Sequence, residues 1–122
     1  AIDHAGRINE IRAMGRAIAA DLRPHDVFLT PTLTQPPRPK GFYDMSMTDL
    51  DDYNALWSDA VFLTPFNISG QPAMSLPLGM VGHMPAGVQL VGRIGAEGTL
   101  LAVATALEQA MPWKGRRPPV HW

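Results

Sequence analysis

Prolines limit what this chain can fold into more than any other feature of its sequence. There are 12 of them in 122 residues, roughly twice the average share of about 5%. Most lie in three stretches, residues 31–39, 65–85 and 112–119. Proline lacks a backbone donor and has a fixed φ, so it is excluded from helix interiors and from central strands. We therefore expect these stretches to form loops, bends, strand ends or edge strands.

The composition excludes several classes of function. Apolar residues make up 46% of the chain, enough for a buried core, and a net charge of −1 argues against a nucleic-acid surface. The absence of cysteine excludes disulfides, a thiolate nucleophile and a cysteine-type metal site. No apolar run approaches the ~20 residues of a membrane span and no signal peptide opens the chain, so we expect no membrane contact and a cytoplasmic location.

Hydrophobic periodicity predicts three helices and three strands, and hence an α/β fold. The chain begins without methionine and its predicted sheet is small, so we expect it to be a piece of a longer protein. We expect it to contain part of a mixed β-sheet flanked by helices. We treat residues 1–122 as one segment. In order, the predicted elements are a helix over 8–22, a strand over 26–30, a loop over 30–41, a helix that begins at Thr48, strands over 73–78 and 87–91 joined by a turn, and a helix over 96–111. Thr48 is the predicted N-cap of the second helix, with Asp51 as its capping-box partner. The last helix is expected to be covered on most sides.

The segment PFNISGQPAMSLPLG, residues 65–79, combines turn formers with an apolar strand pattern. Asn67, Ser69, Gly70 and Pro72 predict a bend that leads into the strand. Pro77 then predicts a sheet edge, a bulge or the end of the strand, because it cannot donate to the ladder.

No local motif identifies a catalytic centre or a metal site. The chain has no Gly-x-Ser-x-Gly elbow and no His-Glu-x-x-His helix, and its four histidines are not spaced to share a metal. The glycine-spaced turn Gly92–Gly98 can place backbone N–H groups against a phosphate. It misses both the dinucleotide pattern and the P-loop pattern, so a tight connection from strand to helix is the competing interpretation.

Three motifs taken together resemble the C-terminal part of the amidase signature family. Phe66–Pro77 reads F-N-x-x-G-Q-P-A-x-S-x-P, and Pro85–Arg93 reads P-x-G-x-Q-L-V-G-R. An acidic residue and a Leu-Leu helix follow, then Pro112-Trp113 and a basic, proline-containing tail. Upstream, the DVFLTPT stretch (residues 26–32) is similar to the family's strand and T-P-T turn. The resemblance covers nearly the whole chain.

The resemblance implies hydrolysis of carboxylic amides through a serine acyl-enzyme, without a cofactor. Family members use a Ser–cis-Ser–Lys triad and a Gly/Ser-rich oxyanion segment. This chain has no Ser-Ser pair, and its lysines are Lys40 and Lys114, so we predict no catalytic residue in it. The implied partners are the N-terminal remainder of the same amidase and a small amide substrate, and a homodimer is left open. The alternative is a non-catalytic binding or assembly module with an amidase-like half fold.

What the resemblance leaves to this segment is a wall of the substrate pocket. Ligands of open α/β sheets lie beyond the carboxyl ends of the strands. The first strand delivers Thr30, Thr32 and Leu33 to such a position, and Phe66 and Asn67 open the next motif. We predict these five as substrate-binding residues. The competing interpretation is structural: capped turns for the threonines, core packing for Phe66 and turn chemistry for Asn67.

Overall fold

The computed structural model describes residues 3–117 as four α-helices, one 3-10 turn and three strands. This order confirms the α/β class. The elements are α1 (His4–Asp21), β1 (Val27–Pro31), α2 (Leu50–Leu56), the 3-10 turn (Trp57–Ala60), α3 (Thr64–Ser69), β2 (Ala73–Val81), β3 (Met84–Gly92) and α4 (Glu97–Ala110).

The three strands form an antiparallel sheet in the order β1-β3-β2, with β3 in the middle. Gln89 on β3 lies opposite Thr30 on β1 and opposite Ser75 on β2, so these three side chains share one face of the sheet. The register shifts between Leu76 and Gly79. Pro77 therefore lies at an irregularity of the edge strand β2, in agreement with its predicted place.

Two small cores cover the two faces of the sheet. Leu90 packs with Leu76 of β2 and Leu100 of α4 on one face. The next residue of β3, Val91, points to the other face and packs with Phe66 of α3 and Leu22, the residue that ends α1. Successive strand residues alternate between faces, so β3 belongs to both cores.

Three local predictions are corrected by the structure. The bend predicted around Asn67 is the short helix α3, which begins with a proline in its first turn and ends at Gly70 with φ 72°. Helix α2 is capped by Asp49 instead of Thr48, because the Asp49 carboxylate accepts from the amides of Asp51 and Asp52. The turn expected over residues 79–86 is shorter, since β2 continues to Val81 and β3 begins at Met84.

Helix α4 packs on one side within the part of the chain that the structure describes. Leu100 is 2% exposed and its neighbour Leu101 is 60% exposed. The expectation of a helix covered on most sides is therefore not met by residues 3–117. No helix in this range combines the length and the hydropathy needed to cross a membrane.

These neighbouring leucines allow a matched test of the core. Leu100→Ala removes a side chain packed between α4 and the sheet, and we expect it to lower the free energy of unfolding by about 2–5 kcal/mol. Leu101→Ala removes the same atoms from an exposed position, and we expect a change below about 0.5 kcal/mol. Urea unfolding of both variants measures the difference. Equal losses would contradict the described packing of α4.

Candidate functional site

An open cleft of about 540 Å³ lies where the chain leaves β1. Residues 31–37 line one side of it, and Val81 with residues 85–87 of the β2–β3 hairpin line the other, together with Phe62. Most of these side chains are proline, alanine, leucine, valine or phenylalanine. The polar ones are Thr32, Thr34 and Gln35, so the cleft offers an apolar surface with a few hydrogen-bonding groups, as ligand pockets commonly do.

The buried side-chain amide of Gln89 links β3 to neighbouring segments next to this cleft. The Gln89 side-chain amide donates to the Thr30 hydroxyl at 3.0 Å and to the Phe62 carbonyl at 3.1 Å. Gln89 and Thr30 are both buried, and buried polar groups are stable only when they are paired in this way. Thr30 therefore joins β1 to β3 next to the cleft and does not line it.

Thr32 lines the cleft and pairs with Ser75. Their hydroxyl oxygens are 2.6 Å apart and either one can be the donor. The Thr32 amide also donates to the Gly87 carbonyl at 2.9 Å. One hydroxyl proton is used within the pair. The second hydroxyl proton has no acceptor among the described residues. The pair can therefore offer a donor as well as lone pairs to a ligand.

Gly87 makes this hydroxyl pair possible because it has no side chain. A Cβ at this position would lie 2.6 Å from the Thr32 hydroxyl oxygen and 2.7 Å from that of Ser75. Both distances are shorter than van der Waals contact. The glycine therefore allows the Thr32 and Ser75 side chains to meet across β3.

The structure places the five predicted site residues at four different locations. Thr32 and Leu33 line the cleft, whereas Thr30 is outside the lining and bonded to Gln89. Phe66 is buried in the core, with its ring centroid 6.0 Å from that of Phe28, and it borders a separate hollow of about 450 Å³. Asn67 is exposed on α3. The cleft thus brings together two of the five, both from the T-P-T stretch.

A buried carboxylate, Asp59, contacts the loop that lines the cleft. Its Oδ2 accepts from Arg38 Nε at 2.7 Å and from the Tyr43 hydroxyl at 3.1 Å, and its Oδ1 accepts from Arg38 Nη2 at 3.0 Å. The hydrogen bond from Arg38 is the main cause that holds the pKa of the Asp59 carboxyl below its usual value, although burial opposes it. Burial, followed by the hydrogen bond to Asp59, raises the pKa of the Tyr43 phenol.

The glycine turn before α4 uses amides that a phosphate would need. The Gly92 amide donates to the Pro72 carbonyl at 2.9 Å, and the Ala96 amide donates to the Arg93 carbonyl at 2.9 Å. This favours the interpretation as a tight connection. Within residues 3–117 there is no group of three or more acidic or histidine side chains able to hold a metal ion.

Sequence reasoning missed Gln89, Ser75 and Asp59. A signal for Gln89 was present: it is the one polar side chain in the apolar strand GVQLV, residues 87–91, and a polar residue there must find a buried partner. Ser75 and Asp59 carry no comparable local signal. Their partners are 43 and 21 residues away in sequence.

Comparison with known proteins identifies the family to which this chain belongs. The Amidase family model matches residues 5–101. The chain therefore belongs to the amidase signature family, and the resemblance noted in its motifs is confirmed.

Among individual relatives, 6-aminohexanoate-cyclic-dimer hydrolase of Pseudomonas sp. (strain NK87) is 46% identical over an alignment of 100 residues that covers 76% of this chain and 20% of that protein. The same hydrolase of Paenarthrobacter ureafaciens is 43% identical over 100 residues, again 76% of this chain and 20% of that protein. The chain thus spans about a fifth of the length of these curated relatives.

Solved structures agree with this assignment. A 6-aminohexanoate cyclic dimer hydrolase complexed with substrate matches with a TM-score of 0.84 and 36% identity, over 94% of this chain and 26% of that one. A crystal structure described as that of an amidase matches with a TM-score of 0.71 and 26% identity, over 89% and 25% of the two chains. The elements described above therefore correspond to about a quarter of a larger amidase fold.

Gly87→Ala tests the close approach at the cleft. The added methyl group must push Thr32 or Ser75 aside, and we expect a loss of about 1–3 kcal/mol in the free energy of unfolding. Gly98→Ala is the matched control, because a Cβ there meets no atom within 4 Å in the first turn of α4. We expect it to be neutral or stabilising by up to about 1 kcal/mol. Thermal unfolding distinguishes the two, and a neutral Gly87→Ala would contradict the described contact.

The pKa shifts around Asp59 predict how this contact depends on pH. Because the Asp59 pKa is lowered on folding, its contribution to stability is present above about pH 4 and is lost as the pH falls through the lowered pKa. Because the Tyr43 pKa is raised, its contribution is present below about pH 10 and is lost as the pH rises through the raised value.

The measurement is the difference in unfolding free energy between the wild type and Asp59→Asn as a function of pH. We expect this difference to be greatest between these limits and to shrink on both sides. A difference that stays constant from neutral pH down to about pH 2, well below the usual aspartate pKa of about 3.9, would show that the ionised carboxylate is not what matters.

Proposed function

We propose that this chain is the C-terminal segment of an amidase signature hydrolase and that it forms one wall of the substrate pocket. Family membership and the span of about a fifth of the relatives' length support this proposal. The alternative, a non-catalytic module with an amidase-like half fold, is not favoured by the relatives, whose names describe amide-bond enzymes.

The reaction requires groups that this segment does not contain. Amide hydrolysis through an acyl-enzyme needs an activated nucleophile and donors for the oxyanion. The sequence has no Ser-Ser pair, and its two lysines, Lys40 and Lys114, are exposed and lie outside the cleft. We propose that the remainder of the same amidase supplies the nucleophile, its activating lysine and the oxyanion donors, and that this segment holds the substrate.

The cleft beside Thr32 is the observation that carries this proposal. It has a mostly apolar lining, and Thr32, one of its few polar lining residues, shares a hydrogen bond with the exposed hydroxyl of Ser75. Such a cleft suits a small amide with an apolar carbon chain: the chain would lie against Leu33 and the prolines, and the hydroxyl pair would meet a polar group. The 6-aminohexanoate cyclic dimer named in the relatives is an amide of this class.

The cytoplasmic location and a homodimer stay predictions.

The test compares the complete gene product with the 122-residue chain. We expect the complete protein to release amine from a panel of short aliphatic, cyclic and aryl amides, and the chain alone to release none. Turnover by the isolated chain that Ser69→Ala or Ser75→Ala abolishes would overturn the division of labour. A complete protein that hydrolyses no amide would overturn the proposed function itself.

Thr32→Val in the complete protein tests the role of the hydroxyl pair. Removing one hydrogen bond to substrate should raise KM by about three- to tenfold and leave kcat nearly unchanged. The control is Thr105→Val, since the Thr105 hydroxyl donates to the Leu101 carbonyl within α4, away from the cleft. An unchanged KM in Thr32→Val would remove Thr32 from the binding surface.

A further inference from the structure

The wall of the cleft that contains the prolines cannot hold its own position. Between Thr34 and Arg38 the chain reads Gln35, Pro36, Pro37, and the two prolines have no backbone N–H with which to bond to a neighbouring strand. These residues line the cleft but belong to no helix or strand. Their position must therefore be set by the residues on either side of them.

Both of those residues are bonded to Asp59. At the start of the wall, the Thr34 amide donates to the Asp59 carbonyl at 2.9 Å, and the Thr34 hydroxyl donates to the same oxygen at 3.4 Å. At its end, the Arg38 guanidinium forms a two-pronged bond to the Asp59 carboxylate, at 2.7 and 3.0 Å. One residue thus holds both ends of the segment that faces the ligand.

A third contact extends this hold further along the chain. The Tyr43 hydroxyl donates to Asp59 Oδ2 at 3.1 Å, and the Tyr43 ring stacks at 6.1 Å on Trp57. The Arg38 guanidinium also lies 4.8 Å from the centroid of the Phe42 ring. These contacts bring residues 38–43 against the 3-10 turn that carries Asp59.

The burial of Asp59 means that its carboxylate must keep its hydrogen-bond partners. Asp59 is 5% exposed, and a buried carboxylate must be paired and hydrogen-bonded. The Arg38 side chain is 35% exposed, so it can reach the carboxylate while part of it remains in water. Two-pronged arginine–carboxylate pairs fix geometry as well as charge, which is what positioning a wall requires.

We propose that Asp59 is a positioning residue that sets the width of the cleft, and thereby the fit of the substrate, by holding Thr34 and Arg38 on either side of the proline wall. This inference rests on the proposed function of the cleft. Because the proposal assigns the nucleophile to the remainder of the amidase, it places the reacting carbonyl there and a non-reacting part of the substrate against the wall, where binding is the same in the ground state and the transition state. Asp59 therefore acts on KM more than on kcat.

The experiment uses the complete protein with Asp59→Asn, Arg38→Gln and the double variant. In each single variant we expect hydrogen exchange to accelerate about tenfold in peptides spanning residues 33–43 and to stay unchanged in peptides from α4. KM for a hydrolysed amide should rise about tenfold, with kcat within about twofold. Because both substitutions break one contact, the double variant should be no worse than either single variant.

Asp26→Asn is the matched control. Asp26 also pairs with an arginine, Arg93, at 3.2 Å, but the two side chains are 86% and 48% exposed and lie away from the cleft lining. The same change from carboxylate to carboxamide should alter neither KM nor exchange in peptides 33–43. Tyr43→Phe, which removes one of the three donors, is a milder variant that should shift both quantities in the same direction by less.

The outcomes separate this inference from the proposed function. Unchanged exchange in peptides 33–43, additive effects in the double variant, or exchange accelerated throughout the protein would each overturn the positioning role. If Asp59→Asn does not fold, Tyr43→Phe decides by the same readouts. If the complete protein hydrolyses no amide, the proposed function fails, and the exchange measurement still decides whether Asp59 holds the wall.

Discussion

The central strand β3 is the constraint on which the rest of the structure depends. Three consecutive residues, Gln89, Leu90 and Val91, are all buried and point alternately to the two faces of the sheet. Leu90 organises the core beneath α4, and Val91 organises the core beneath α1 and α3. Gln89 forms the polar link to β1 and to the segment that follows the 3-10 turn. A strand covered on both sides must be specified at every position, because a shift of one residue would exchange the two faces.

The cleft lies where the chain leaves β1, and the sheet fixes the position of only some of its lining residues. Thr32 is bonded directly to β3 through Gly87, so this side of the cleft is as fixed as the sheet. The proline segment that follows Thr32 and Leu33 along the chain has no strand pairing of its own. Its position depends on Asp59, whose main-chain carbonyl accepts from Thr34 and whose carboxylate accepts from Arg38. Part of the cleft lining is thus fixed by the sheet, and the proline segment is held by its contacts with Asp59.

Local chemistry accounts for the elements that could be predicted from the sequence. The apolar runs of β1 and β3 and the periodicity of α1 and α4 are visible without the fold, and Pro77 could be placed because proline has few uses in a strand. Helix α3 was missed because Pro65 and Gly70 read as turn formers. A proline is tolerated in the first turn of a helix, and a glycine commonly ends one. The shared motif order identified the family, whereas the pairs Thr30–Gln89 and Arg38–Asp59 could not be predicted, since they join residues 59 and 21 positions apart.

If the cleft binds an amide as proposed, the hydroxyl pair of Thr32 and Ser75 has a consequence for how that amide is recognised. Since either oxygen can donate, the two protons can rotate together and reverse the direction of the bond. The free end then presents a donor from one residue or from the other without any movement of the backbone. An amide group has an acceptor and a donor on opposite sides, so a reversible pair can meet whichever side arrives first. A symmetric or cyclic amide, which can enter in more than one orientation, is the kind of molecule that gains most from such a surface.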